Sequence, residues 1–240
     1  MSVTVFSEFQ AAAGEAPDRD FLVIPASATK GYAPGSIAVT FGEMLRRAQA
    51  WRARYAEAGY GHGHRVALLL ENRPAFIEHW LALNALGVSV VPVNPFYRTE
   101  ELTYLLAHSD AVLAVALTER IAEVAAAAKG SGRQIPVMAP DQTAIPNPAT
   151  RPPLATPPGA ASECGLLYTS GTTGKPKGCM LSNEYFRMMG EWYMGQGGLC
   201  PVVPGAERML TPLPMFHMNA MACSFMAMVL SRGALILLDR

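Results

Sequence analysis

The sequence has no C-x-x-C pair, no excess of either charge and no unbroken apolar run long enough for a bilayer. Its four cysteines, Cys164, Cys179, Cys200 and Cys223, are scattered. That excludes a zinc ribbon or a dithiol redox motif and leaves free thiols of a reducing compartment. The longest apolar stretch, Met218 to Leu238, is broken by Ser231-Arg232-Gly233, and neither half reaches the roughly 20 residues of a membrane span. Nineteen basic residues balance nineteen acidic ones in 240, so the one-signed surface of a nucleic-acid or polybasic membrane binder is missing. The opening residues MSVTVFSEFQ lack a basic n-region and meet Glu8 early, unlike a secretory signal. Together these absences point to a cytoplasmic protein. Two nucleotide motifs are also missing. Gly171 and Gly174 do not fit a Walker loop, and no Ser or Thr follows Lys175 or Lys177. Gly59, Gly61 and Gly63 precede an apolar run instead of following it, the wrong order for a dinucleotide fingerprint.

What is present is a large potential core, since half the residues are hydrophobic and only 16% are charged. Phe6 to Ala13 suggests a short helix and Phe21 to Ile24 a short strand. Thr40 and Glu43 have the spacing of a capping box ahead of a helix with Met44, Leu45, Ala48, Trp51 and Tyr55 on one side. Apolar runs at 65–70, 88–93 and 111–116 then alternate with helical patterns that start at Pro74, Thr99 and Thr118. Continuous apolar runs at this spacing are those of strands buried on both faces of a parallel sheet. The fold class is therefore α/β, an open and mainly parallel sheet flanked by helices.

Eight of the 19 prolines lie between Pro136 and Pro158, which reads as an extended surface crossover. Three parts follow: an α/β part over 1–135, a crossover over 136–164, and a third part over 165–240. In the third part, Leu166-Leu167-Tyr168 reads as a buried strand end. It empties into Thr169-Ser170-Gly171-Thr172-Thr173-Gly174 and then Lys175-Pro176-Lys177-Gly178. Small residues let a backbone turn and converge its N–H groups, while hydroxyls and ammonium groups add donors and positive charge. A polyphosphate suits that set; a plain polar hairpin turn is the competing reading. Downstream, Ser182 caps a helix to about Met194, Arg208–Leu213 reads as another buried strand, and His217–Leu230 as an apolar helix ended by Gly233. Ala234–Leu238 reads as a last strand.

The eleven residues YTSGTTGKPKG resemble the phosphate-binding signature of the adenylate-forming superfamily, which includes acyl-CoA synthetases. The stretches LGVSVVPVNPFYRTEELTYLLAHSDAVLAVA and TPLPMFHMNAMACSFMAMVLSRGALILLDR are similar to segments of the same enzymes, and within them PMFHMNAMACSFMAMVLSRGA most resembles crotonobetaine/carnitine-type CoA ligases. The resemblance implies an enzyme that uses ATP with Mg2+ to turn a small carboxylic acid into an acyl-adenylate and then passes the acyl group to CoA. It implies that Thr169, Ser170, Gly171, Thr172, Thr173, Gly174 and Lys177 hold the phosphates, and that His217 and Phe216 border the acyl pocket. Lys175 falls where the family varies, and Pro176 and Gly178 read as a rigid turn. Asn183 stands where many relatives carry His. An aryl or amino-acid adenylating domain, and a non-catalytic interaction module, remain as alternatives.

The same family would add a magnesium-serving Glu, a ribose-binding Asp and a catalytic Lys, none of which is found in these 240 residues. Arg98-Thr99-Glu100 echoes the first of them in the wrong place. The expectation is thus the N-terminal part of such an enzyme, inactive by itself, with an uncovered flank through which copies could associate. His62 and His64 read as solvent-exposed turn residues, not metal ligands, and the methionines from Met215 to Met228 as a soft hydrophobic wall.

Overall fold

The computed structural model describes residues 3–148, 152–169 and 176–238. Helix α1 (Val5–Glu15) is followed by β1 (Asp20–Ile24), β2 (Ile37–Thr40) and α2 (Phe41–Glu57). Then come β3 (Arg65–Leu69), α3 (Pro74–Asn84), β4 (Ser89–Pro92), α4 (Thr99–His108), β5 (Leu113–Ala116), α5 (Ile121–Gly130) and β6 (Val137–Met138). After the proline-rich crossover lie β7 (Glu163–Thr169), β8 (Lys177–Ser182), α6 (Asn183–Met194), β9 (Arg208–Thr211), α7 (Phe225–Ser231) and β10 (Ala234–Leu237). No helix among the described residues is long and apolar enough to cross a membrane.

The strands form two sheets where the sequence suggested one. The larger has six strands in the order β6-β5-β3-β4-β7-β8; the smaller has four, β2-β1-β10-β9. All pairs in the larger sheet are parallel except β7 with β8. In the smaller sheet β1, β10 and β9 are parallel and β2 is antiparallel to β1. The class is therefore α/β and mainly parallel, as the alternating apolar runs require. Strands β3, β4 and β5 are nearly or wholly buried along their length.

Between the sheets sits an aromatic core. Phe9 of α1 meets Phe21 of β1 edge-on with centroids 4.8 Å apart, and Phe225 of α7 lies 4.6 Å from the Trp80 ring of α3. All four are fully buried, worth about 2–3 kcal/mol each. Helix α1 is anchored there through its first-turn amides, which have no helical acceptor. Val5 N–H donates to Asn183 Oδ1 (3.0 Å) and Phe6 N–H to Asn84 Oδ1 (2.9 Å). Asn183 also receives Asn84 Nδ2 and donates to the Gly159 and Ser162 carbonyls. Its amide therefore joins α1, α3, α6 and the crossover.

Several local expectations shift. Thr40 Oγ1 accepts from Glu43 N–H, but the Glu43 carboxylate turns to Arg47 and the reciprocal half of the box is absent. Thr99 is the first helical residue; Arg98 is the cap, and its N–H donates to Glu101. Strand β9 is an edge strand with exposed residues, not a buried one. The segment expected as one helix from His217 begins as a π-helical stretch, Asn219–Ser224, before α7. Arg232, not Gly233, takes the left-handed terminating conformation, at φ 56°.

Candidate functional site

Strands β7 and β8 form an antiparallel hairpin, the geometry of the competing reading of this segment, although β8 itself was not expected as a strand. Its ladder runs from Glu163↔Ser182 to Thr169↔Lys177. The strand and helix expected to flank the phosphate loop are thus separated by β8, and the loop departs from a paired stem. Ser170, Gly171, Thr172, Thr173, Gly174 and Lys175 lie outside the described residues. Thr169 and Lys177, the two predicted ligands that are described, face each other as the last pair. Lys177 is exposed and makes no ion pair among the described residues.

Gly178 is a strand residue, not part of a turn, and its partner is Tyr168. A Cβ on Gly178 would lie 3.3 Å from Tyr168 Cζ and 3.0 Å from Leu166 Cδ1. The first and last residues of the eleven-residue signature therefore form one cross-strand pair, a tyrosine ring over a glycine. Tyr168 Oη is also 2.8 Å from His108 Nδ1 on α4, and Tyr104 stacks on His108 with centroids 5.4 Å apart. Burial pushes the Tyr168 phenol up from its usual range. It stays a donor to neutral imidazole and can accept from imidazolium. The sequence singled out neither Tyr168 nor His108; their pairing depends on the hairpin register.

Alternation along β8 puts Lys177, Cys179 and Leu181 on one face. Leu181 and Leu167, the partner of Cys179, pack into the core cluster that holds Met215, Ala220 and Met221. The β7–β8 stem and the Met215–Met221 stretch therefore pack into the same core cluster. His217 is exposed, and its N–H closes a turn on the Pro214 carbonyl (2.9 Å). Its ring contacts Phe216 at 4.5 Å between centroids. The π-helical stretch begins two residues on, a form frequent at functional sites. Most of the methionines here are buried core residues, Met215, Met221, Met226 and Met228, while Met218 is partly exposed.

Half-buried Phe216 lines an apolar cavity of about 270 Å³ together with Glu71, Asn72, Phe96 and Leu238. The residues come from the loops just past the carboxyl ends of β3, β4, β9 and β10, where open α/β sheets hold their ligands. A larger cavity, about 840 Å³, opens at the amino ends of the strands and is lined by Arg65, Ser89, Asp110, Arg133 and Glu163. Its charges neutralise one another. Arg65 holds both Glu163 oxygens (2.8 and 2.7 Å), Ser89 Oγ donates to Glu163 Oε1 (2.7 Å), and Arg133 pairs with Asp110. Size therefore does not decide between the two, and the carboxyl-end cavity is the candidate site.

His64 is buried, contrary to the exposure expected of it, and His62 Nδ1 bonds the Thr156 carbonyl across 2.8 Å. Among the described residues no group of three His, Cys, Asp or Glu side chains could hold a metal ion.

Comparison with known proteins gives a consistent picture. The family model described as "AMP-binding enzyme" matches residues 9–240. The chain is 32% identical over 231 residues to a sulfoacetate–CoA ligase of Cupriavidus necator, covering 94% of this chain and 43% of that protein. It is 28% identical over 199 residues to a crotonobetaine/carnitine–CoA ligase of Shigella dysenteriae, covering 76% of this chain and 37% of that one. The O-succinylbenzoate CoA synthetase of Bacillus subtilis, solved with ATP and magnesium, superposes with a TM-score of 0.77 at 20% identity. That match covers all of this chain (100%) and 58% of that one, a likeness of fold. The chain spans about two fifths of the length of these curated relatives.

Proposed function

Because the chain belongs to the AMP-binding enzyme family, we propose that it supplies the phosphate-holding and acid-facing side of an ATP-dependent acid–CoA ligase. The observation that carries this reading is the hairpin stem. Thr169 and Lys177 are its last pair, at the carboxyl end of β7, and Leu167 and Leu181 of the same hairpin pack into the core cluster that holds Met215, two residues before His217.

In the proposed reaction a substrate carboxylate oxygen attacks the α-phosphorus of ATP. The bond to the bridging oxygen breaks, and pyrophosphate leaves as the acyl-adenylate forms. The CoA thiol, losing its proton, then attacks the acyl carbon and AMP departs. The carboxylate is already ionised near neutral pH and needs no base, so the residues here act by position and charge. Thr169, Ser170, Gly171, Thr172, Thr173, Gly174 and Lys177 are the proposed donors to the β- and γ-phosphates, where fixed N–H, O–H and ammonium groups stabilise the leaving pyrophosphate. His217 and Phe216 are the proposed boundary of the acid. The described residues offer no cluster for magnesium, which enters this reading only as the companion of the triphosphate.

By itself the 240-residue chain is expected to bind MgATP and not to exchange pyrophosphate, because the residues that the family resemblance assigns to magnesium, ribose and catalysis are not in it. Calorimetric titration with MgATP and an isotope-exchange assay check both halves. Lys177→Ala should weaken MgATP about tenfold or more, the cost of one charge-assisted contact. Absence of saturable MgATP binding by the unaltered chain at millimolar concentration would end the reading.

A further inference from the structure

Asn72 lies in the short turn between β3 and α3 and is 4% exposed. All of its amide hydrogens point at carbonyls: Nδ2 donates to Leu238 O (2.9 Å) and Leu213 O (3.2 Å). Its Oδ1 accepts from Met215 N–H (2.8 Å). Two carbonyls on one side and an N–H on the other leave a single sensible orientation for the amide. Leu213 and Leu238 lie just past β9 and β10 of the four-stranded sheet, whereas Asn72 leaves the six-stranded sheet. One side chain therefore ties the two sheets together at their carboxyl ends. The third bond catches the amide two residues ahead of His217.

The backbone that delivers Asn72 is unusual. Glu71 has φ 54°, the left-handed region that side chains other than glycine's rarely adopt, and such conformations persist where the surroundings over-determine them. Arg73, next in line, is the cap residue of α3 with Pro74 at its first position. Asn72 is thus held from both sides, by a strained turn before it and a proline-started helix after it.

We propose that Asn72 is a positioning residue for the acid-facing segment: it sets where Phe216 and His217 stand relative to the ends of the strands. The proposal rests on the ligase reading for what His217 meets, but not for the placement itself. Serine at this position is too short to span the three partners. Aspartate keeps the acceptor for Met215 and turns a carboxylate toward two carbonyls, which repel it. In either variant the Met215–His217 segment loses its fixed attachment, while the buried Tyr55–His79 bond (2.7 Å) and the His108–Tyr168 contact lie on other elements.

The test is the ring spectrum of the 240-residue chain labelled at its five histidines. His217 is assigned by its loss in His217→Gln. In Asn72→Ser and Asn72→Asp the His217 signal should shift or split, with the His79 and His108 signals in place as reporters of an intact fold. A merely structural role for Asn72 would move all the histidines together or none. Hydrogen exchange of the unaltered chain supplies the second measurement, independent of how the variants fold. The Met215 amide should exchange at least about tenfold more slowly than that of exposed Met218, as an internally bonded amide does. A His217 signal unchanged in a folded variant, or a Met215 amide as free as that of Met218, would overturn the proposal. MgATP titration reports on the ligase reading separately: its failure would leave the His217 result standing.

Discussion

The two ends of the parallel strands differ in what they leave exposed, although the carboxyl ends too hold a matched set in Arg73 with Glu71 and Glu119. At the amino ends nearly every charge is matched: Arg65 with Glu163, Ser89 on the same carboxylate, Arg133 with Asp110 and with the Ala107 carbonyl at the end of α4. The proline-rich crossover lies across that end, and His62 bonds it at Thr156. At the carboxyl ends the polar side chains that hold shape, such as Asn72, are buried, while Lys177 and His217 stand exposed. Groups that neutralise each other contribute to stability and are unavailable to a ligand. Groups left without partners cost little and can bind. The larger cavity is lined by groups of the first kind. The smaller is mainly apolar, its Glu71 paired with Arg73 (3.5 Å) and its Asn72 fully bonded. It is therefore the exposed Lys177 and His217, not a cavity's volume, that mark the carboxyl ends.

That contrast can be attacked from its strongest side first. The crossover is held from below by His79, whose Nε2 bonds the Pro140 carbonyl while Nδ1 lies 2.7 Å from Tyr55 Oη. Burial lowers its pKa to about 4 from the ordinary 6.5. A histidine that stays neutral when folded but protonates when unfolded contributes stability that is fully present above about pH 6.5 and is lost as pH falls toward 4. The loss from this one group should be about 3 kcal/mol. Urea unfolding at pH 7 and pH 4.5 measures it, and His79→Gln should flatten the difference. An acid limb unchanged in that variant would show that the clamp lies elsewhere.

A somewhat smaller effect is expected from Glu163→Ala. It leaves the Arg65 guanidinium, about one-fifth exposed at 20%, without its bidentate partner, and Ser89 without an acceptor. About 2 kcal/mol of stability should go, with MgATP binding retained. If MgATP affinity fell in step with stability, the two ends would not be separable as described. The smallest stability effect should come from Lys177→Ala and His217→Ala, each within about 0.5 kcal/mol of the unaltered chain. A large fall in melting temperature for either would mean that it is a structural residue.

Much of this organisation is legible in the sequence, for reasons that differ by region. Buried strands such as Val66–Leu69 and Val90–Val91 are apolar without interruption, and the helices between them begin at residues with a reason to be there, such as Pro74. Gly87 could be read as a turn. Its fuller reason appears only in three dimensions: φ is +73°, and a Cβ there would lie 2.8 Å from Pro158 Cβ of the crossover. Strand β8 escapes because KGCMLS is an edge strand with little apolar signal, and β2 because it is a largely unburied edge strand behind a loop rich in Gly, Pro and Ser. The division into two sheets escapes because periodicity reports burial, not partners. At the candidate site the motif names Thr169 and Lys177, yet Asn72, Tyr168 and His108 act through contacts far away in sequence. Asn183 looks like a departure from a family pattern and is explained instead by four hydrogen bonds in the core.

The pairing of β1 with β10, Leu22 beside Leu235, also governs how the molecule can be made. During synthesis Phe21 and Leu22 leave the ribosome far ahead of Leu235 and must wait for it before this pair of strands can close. The interval leaves an apolar edge open to the nascent chain's surroundings, and contacts so distant in sequence form slowly. A chaperone that shields β1 and β2 would have more to do here than one acting on the self-contained run of strands and helices that follows.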